Sequence, residues 1–140
     1  MAKQLHTCLW FENQAKEAAD FYCGIFPNSK ILSVSPMAVH FELNGTPFMA
    51  LNGKKPEMQF NDSISFVISC ENQAEIDHYW EAFTRNGGRE KMCGWCSDKF
   101  GVSWQVIPSV LGALLNDPVK SKNVMEALLK MKKVRLDELV

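Results

Sequence analysis

Four residues, Glu12-Asn13-Gln14-Ala15, recur as Glu71-Asn72-Gln73-Ala74. In both places an apolar extended run meets a stretch with helical spacing. The aromatic Phe21 falls on Trp80 in the same register. Further on, Asn44-Gly45-Thr46-Pro47-Phe48-Met49 matches Phe100-Gly101-Val102-Ser103-Trp104-Gln105, a turn and then a strand each time. A four-letter match arises easily by chance. Its coincidence with the same element boundaries points to duplication, which limits the chain to two copies of one small topology. Each copy reads strand, helix, then strands. The first covers about 1–53, the second about 62–108, and 109–140 lies outside the repeat.

The first copy opens with a strand over Leu5–Phe11. Asn13 is the expected N-cap of a helix over Gln14–Ile25, whose apolar stripe is Ala15, Ala18, Ala19, Tyr22 and Phe26. Strands follow at Ile31–Ser35, Ala38–Leu43 and Thr46–Leu51, the last two joined by the hairpin signal Asn44-Gly45. Gly53–Gln59 reads as a linker. The second copy begins with a strand over Ser63–Ile68. Asn72 and Glu75 form a capping box for a helix with the stripe Ile76, Tyr79, Trp80 and Phe83, which Asn86-Gly87-Gly88 ends.

A hairpin then places Trp95–Ser97 opposite Val102–Ile107, with Asp98-Lys99-Phe100-Gly101 as the turn and Pro108 as the stop. Ser103, Gln105 and Ile107 share one face of the return strand, and Val102, Trp104 and Val106 share the other. One side packs and the other lines something polar. In the tail, Val110–Leu115 reads as a short helix. Asp117-Pro118 starts another over Val119–Lys130, with the stripe Val124, Met125, Leu128 and Leu129. Lys132, Lys133 and Arg135 read as solvated cations near a helix end.

The chain has 140 residues, 46% of them hydrophobic, with a formal net charge of −1. This describes a folded domain without long-range attraction to nucleic acid or anionic lipid. No apolar run has membrane-spanning length, and the N-terminus does not lead into a signal-peptide core, so the expected location is cytoplasmic. Five cysteines is an odd count and suggests free thiols. Cys93-Gly94-Trp95-Cys96 has dithiol spacing, but a redox pair needs a helix N-terminus to lower its pKa, and this pair falls on expected strand. His40 and His78 lack a partner carboxylate or nucleophile in any evident motif and read as structural.

Several motifs carry a resemblance. They are Cys8-Leu9-Trp10-Phe11, Ala18-Ala19-Asp20-Phe21-Tyr22 and Phe26-Pro27-Asn28-Ser29 in the first copy. In the second they are Gln73-Ala74-Glu75-Ile76-Asp77 with Trp80, Cys93-Gly94-Trp95, and Phe100-Gly101-Val102-Ser103-Trp104-Gln105. The chain resembles the PhnB-like group, labelled 3-demethylubiquinone-9 3-methyltransferase-like, of the vicinal oxygen chelate superfamily. That superfamily includes glyoxalase I, ring-cleaving dioxygenases and bleomycin-resistance proteins. The resemblance implies an α+β fold of two tandem βαβββ modules whose curved sheets form a cup, with C-terminal helices, usually in a homodimer.

In metal-using members, ligands come from the first and last strands of each module. The resemblance and the repeat together carry these positions onto His6, Met49, Ser65 and Gln105. Such a set offers one imidazole, one thioether and two neutral oxygens, with no carboxylate, so neither a metal nor another cofactor is expected. His6 with Cys8, on the same strand face, is the nearest approach to a ligand pair. Trp10 and Trp95 are the tryptophans that could wall a cup, and Trp80 and Trp104 are core.

The expected function is metal-independent binding of an unidentified small molecule by His6, Cys8, Trp10, Met49, Ser65, Trp95 and Gln105. The alternative is a glyoxalase-like lyase or isomerase acting on a small polar metabolite. Methyl transfer is not expected, because the one glycine pair, Gly87-Gly88, ends a helix instead of opening one to hold an adenosyl cofactor. The expected partners are the small molecule and a second copy of the chain, with no nucleic acid and no membrane.

Overall fold

A computed structural model describes residues 3–139. Contacts divide the chain into two units, Met1–Gln59 and Phe60–Val140. The first holds β1 (Thr7–Trp10), α1 (Ala15–Cys23), β2 (Lys30–Val34), β3 (Ala38–Leu43) and β4 (Thr46–Leu51). The second holds β5 (Ser65–Cys70), α2 (Gln73–Thr84), β6 (Arg89–Glu90), β7 (Trp95–Ser97) and β8 (Ser103–Pro108). Then come α3 (Leu111–Asn116), α4 (Ser121–Leu128) and α5 (Leu136–Leu139). The fold is mixed α+β, with a four-stranded open sheet in each unit.

The two sheets share one topology, β1-β4-β3-β2 and β5-β8-β7-β6, with the first strand parallel to the last in each. The repeat extends to the register. Cys8 pairs with Met49 and Met49 with His40, while Val67 pairs with Gln105 and Gln105 with Trp95. His40 and Trp95 therefore hold equivalent places, as do Met49 and Gln105.

In the first unit Ala15, Ala18, Ala19 and Tyr22 of α1 pack on Val39, Phe41, Phe48 and Ala50, all buried. Tyr22 stacks on Phe41 and Phe41 on Phe48. Asn44 and Gly45 turn β3 into β4 with φ of 50° and 83°, as a two-residue hairpin requires. In the second unit α2 buries Ile76, Tyr79, Trp80 and Phe83. Phe83 stacks on Trp104 with ring centroids 4.3 Å apart. The expected capping box is present. Asn72 Oδ1 accepts from Glu75 N, and Glu75 Oε1 accepts from the N–H of Glu71, one residue before the cap.

Several local expectations are corrected. The first strand begins at Thr7, so His6 precedes it. Asn13 does not cap α1. The Ala15 N–H bonds instead to Asn52 Oδ1 at 2.9 Å, a cap from beyond β4. Asp117 makes a turn, accepting from Val119 N and Lys120 N, and α4 starts only at Ser121. Pro118 is thus not at a first helical position.

The tail core is Leu111, Val124, Leu128, Met131, Val134 and Leu139, with Cys93 and Ile107 packed against it. Met125 and Leu129 of the expected stripe are exposed. The eight-residue α4 packs against α3 and α5 and buries only the row of Val124 and Leu128. The basic cluster is not wholly solvated, because Lys133 pairs with Asp77 at 2.9 Å. The four-residue α5 carries no periodicity signal and was not foreseen in the sequence.

Candidate functional site

In each unit the helix, α1 or α2, covers one sheet face and not the other, and on the second unit the tail core packs against the uncovered face only at Ile107. Trp104 and Val106 point to α2, as the Phe83 stack shows. Alternation then sends Ser103, Gln105 and Ile107 to the helix-free face. The register adds Ser65, Val67 and Trp95 to it. In the first unit the same reasoning places Cys8, Trp10, His40, Met49 and Leu51 on the free face.

The second unit's face carries two hydrogen-bonded polar groups, side by side through the Ser65–Ser103 strand pairing. Gln105 Nε2 donates to Ser65 Oγ at 2.9 Å. Ser103 Oγ donates to Asp62 Oδ1 at 2.5 Å. Lys91 Nζ reaches both Asp62 oxygens, at 2.6 and 2.8 Å. The hydrogen bonds from Lys91 and then from Ser103 hold the Asp62 carboxyl below its ordinary pKa. Ser65, Trp95 and Gln105 were expected here and are brought together. Asp62, Lys91 and Ser103 were not expected as site residues. Ser103 had a strand parity that could have revealed it. Asp62 and Lys91 lie in loops, where no period marks them.

The stability that Asp62 contributes follows from that shift. A carboxylate with a depressed folded pKa contributes fully above its unfolded pKa, about 3.9. The contribution is lost as pH falls through the lower folded value. Asp62→Asn is therefore expected to flatten the acid limb of the melting temperature below about pH 4, measured by calorimetry from pH 2 to 7. An unchanged limb would show that the Lys91 pair carries no folding energy.

The first unit's residues are less connected. The His6 and His40 rings lie 6.5 Å apart, tilted by 53°. This neighbour of His40 was not expected. Trp10 donates its indole N–H to the Asn52 carbonyl at 3.0 Å and is 39% exposed. Cys8 is exposed, and partial desolvation raises its thiol pKa. His78 lies against Tyr79 on α2. Cys93 sits in a turn at φ 62° and not on a strand, while Cys96 is on β7. Burial, followed by the charge of Asp98, pushes the Cys96 thiol up to about 12, the opposite of an activated thiolate.

The candidate ligand positions of each unit suit a divalent cation poorly. The first unit supplies His6 and the soft Met49. The second supplies Ser65 and Gln105, already bonded to each other. Among the described residues no three His, Cys, Asp or Glu side chains are grouped to hold an ion. Hard or borderline cations need a carboxylate or more imidazole than these positions offer.

Two βαβββ units, each with its first strand parallel to its last and a helix on one face, define a fold of the vicinal oxygen chelate type. The family model described as 3-demethylubiquinone-9 3-methyltransferase matches residues 3–107. The chain belongs to that family, the PhnB-like group of the vicinal oxygen chelate superfamily. A Bacillus cereus PhnB protein, given the same methyltransferase description, is 29% identical with a TM-score of 0.69, covering 75% of this chain and 99% of its own. A Pseudomonas aeruginosa protein is 19% identical with a TM-score of 0.60, over 76% and 98% of the two chains. The fosfomycin resistance protein FosX of Listeria monocytogenes, solved with manganese(II) and sulfate, is 18% identical with a TM-score of 0.54 over 74% and 87%. The last two share the fold. No curated protein matches the chain.

Proposed function

We propose that the protein binds a small molecule, without a metal, on the helix-free face of its second sheet. The two hydrogen-bonded groups, Ser65 with Gln105 and Asp62 with Lys91 and Ser103, and Trp95 beside Gln105, carry this reading. A row of polar groups on a sheet surface that could have been apolar, flanked by an aromatic side chain, suits a ligand site. His6, Cys8, Trp10 and Met49 are the candidate ligand residues of the first unit.

The enzyme alternative needs a group that exchanges a proton near neutral pH. Asp62 is held in its charged form by Lys91 and Ser103, which makes it a weak base and favours binding. The methyltransferase name gains no support from the chain. Its strand-to-helix turns, residues 11–14 and 71–72, contain no glycine to seat an adenosyl cofactor.

Native mass spectrometry of freshly purified protein tests the reading. A co-purifying organic mass, lost in Trp95→Ala and Gln105→Leu, is expected. Elemental analysis is expected to find no stoichiometric zinc, nickel or iron. One metal per chain that disappears in His6→Ala would overturn the metal-free reading and favour the enzyme.

A homodimer belongs to the same proposal. Leu32 and Val34 on the edge strand β2, and nearby Met37, are more than half exposed, an apolar edge that a second chain could cover. Light scattering at micromolar concentration is expected to give the mass of two chains. A monomer throughout would refute it. Among the described residues no helix is long and apolar enough to cross a membrane.

A further inference from the structure

The four tryptophans differ in what their indole N–H groups do. Trp10 donates to the Asn52 carbonyl, Trp80 to Glu90 Oε1 and Trp104 to Asp98 Oδ2. The indole N–H of Trp95, half-buried, donates to nothing within the described residues. Among the described residues no fully buried side-chain polar atom lacks a partner, so the Trp95 Nε1 reaches the surface. Gln105, its cross-strand neighbour, spends Nε2 on Ser65 and leaves Oε1 unused. Ser65 accepts that bond, and its own hydroxyl proton is unspent. The Trp95 indole N–H, the Ser65 hydroxyl and the second N–H of Gln105 Nε2 are open donors, and Gln105 Oε1 is an open acceptor, on one side of the sheet.

Charge on this face is already matched. Asp62 and Lys91 hold each other at 2.6 Å, and Ser103 takes a second place on the carboxylate. An ionised ligand would leave water for a face whose Asp62–Lys91 pair is already matched and whose open groups are neutral, which disfavours it. A neutral ligand loses far less, and its own polar atoms find partners in the open groups. A flat one also covers the indole of Trp95.

We infer that the ligand is an uncharged planar molecule presenting a carbonyl-type acceptor next to an N–H or O–H donor, as a carboxamide or lactam does. Its acceptor takes the Trp95 and Ser65 protons, and its donor meets Gln105 Oε1. This rests on the reading of the face as a small-molecule site and adds the chemical class that the site selects.

Three ring compounds of nearly one shape separate the possibilities: benzamide, its anionic counterpart benzoate and its cationic counterpart benzamidine. The ¹⁵N-labelled full-length chain gives four indole cross-peaks, one per tryptophan. Trp95→Phe identifies the relevant one. Benzamide is expected to move the Trp95 peak saturably and to leave the other three in place. Benzoate and benzamidine are expected to bind at least about tenfold more weakly. In Gln105→Leu the preference should disappear while the Trp80 and Trp104 peaks persist, which shows the fold intact. If either ion moves Trp95 as readily as benzamide, the chemical class is wrong although the face remains a ligand site. If none of the three moves Trp95 saturably, both the class and the site fall. If Gln105→Leu keeps the preference, the amide is not what selects the ligand, and the inference fails on that ground.

Discussion

A chain ended at Pro108 is expected to melt about 10 °C lower than the full chain and to aggregate at concentrations where the full chain stays clear. The tail is not an appended arm. Val134 is fully buried, and its Cγ2 lies 2.9 Å from where a Cβ on Gly94 would sit. The Cys93 and Gly94 N–H groups donate to the Met131 and Lys132 carbonyls, and Gln73 is bonded to both Val134 and Leu136. Removing the tail also removes its internal core, so those six side chains do not all count against what remains. What counts is newly wetted Ile107 and Cys93, the lost packing on Gly94, and the four hydrogen bonds just named and the Lys133–Asp77 ion pair handed to water. At about 25 cal/mol per Å² of apolar surface and about 0.5 kcal/mol per bond that water replaces, this amounts to about 3 kcal/mol. For a chain of this size that is near 10 °C. Val134→Asp in the full chain should produce much of the same loss. Met125→Ser and Leu129→Ser should produce almost none, because both side chains are already exposed. Equal melting of the truncated and full chains would show the tail to be energetically independent.

Trp104→Ala is expected to cost still more, about 3–5 kcal/mol, the range for removing a large aromatic from a core. Trp104 is 2% exposed, stacks on Phe83 and lies against Phe66. It also donates at 2.9 Å to Asp98, a buried carboxylate that accepts from the N–H groups of Phe100 and Val102. Trp104→Phe keeps a ring against Phe83 but loses the Asp98 bond and part of the ring volume, so it should cost at least about 1.5–3 kcal/mol, the value of a bond to a charged group. Denaturant unfolding of the two variants separates the ring from its N–H. If Trp104→Phe is as costly as Trp104→Ala, the hydrogen bond and not the stack dominates.

The sequence made both large helices and every strand but the two-residue β6 legible, because their signals are local. The α2 stripe Ile76, Tyr79, Trp80 and Phe83 is buried as its spacing demands. The Asn44-Gly45 turn and the Asn72–Glu75 box act within a few residues. What escaped was decided at a distance. The cap of α1 comes from Asn52, which no window around Asn13 contains. Cys93 extends no strand because the tail fixes the turn it occupies. Met125 and Leu129 obey the helical period, yet α4 has partners on one row only. In the site, Ser65, Trp95 and Gln105 were readable from alternation and repetition. The Asp62–Lys91 pair joins residues 29 apart in two loops, a proximity that only the folded chain creates.

The matched registers of the two units make the chain its own control experiment. The central row of one free face has a counterpart on the other with the same strand neighbours: Cys8, Met49 and His40 in one, Val67, Gln105 and Trp95 in the other. The backbone is one frame written twice, with soft and basic side chains in the first copy and neutral amide, hydroxyl and indole groups in the second. Side chains can therefore be transplanted between copies onto a backbone already known to hold them. Met49→Gln with His40→Trp would write the second row into the first. Whether benzamide then finds two places on one chain would separate what the frame contributes to recognition from what the side chains do.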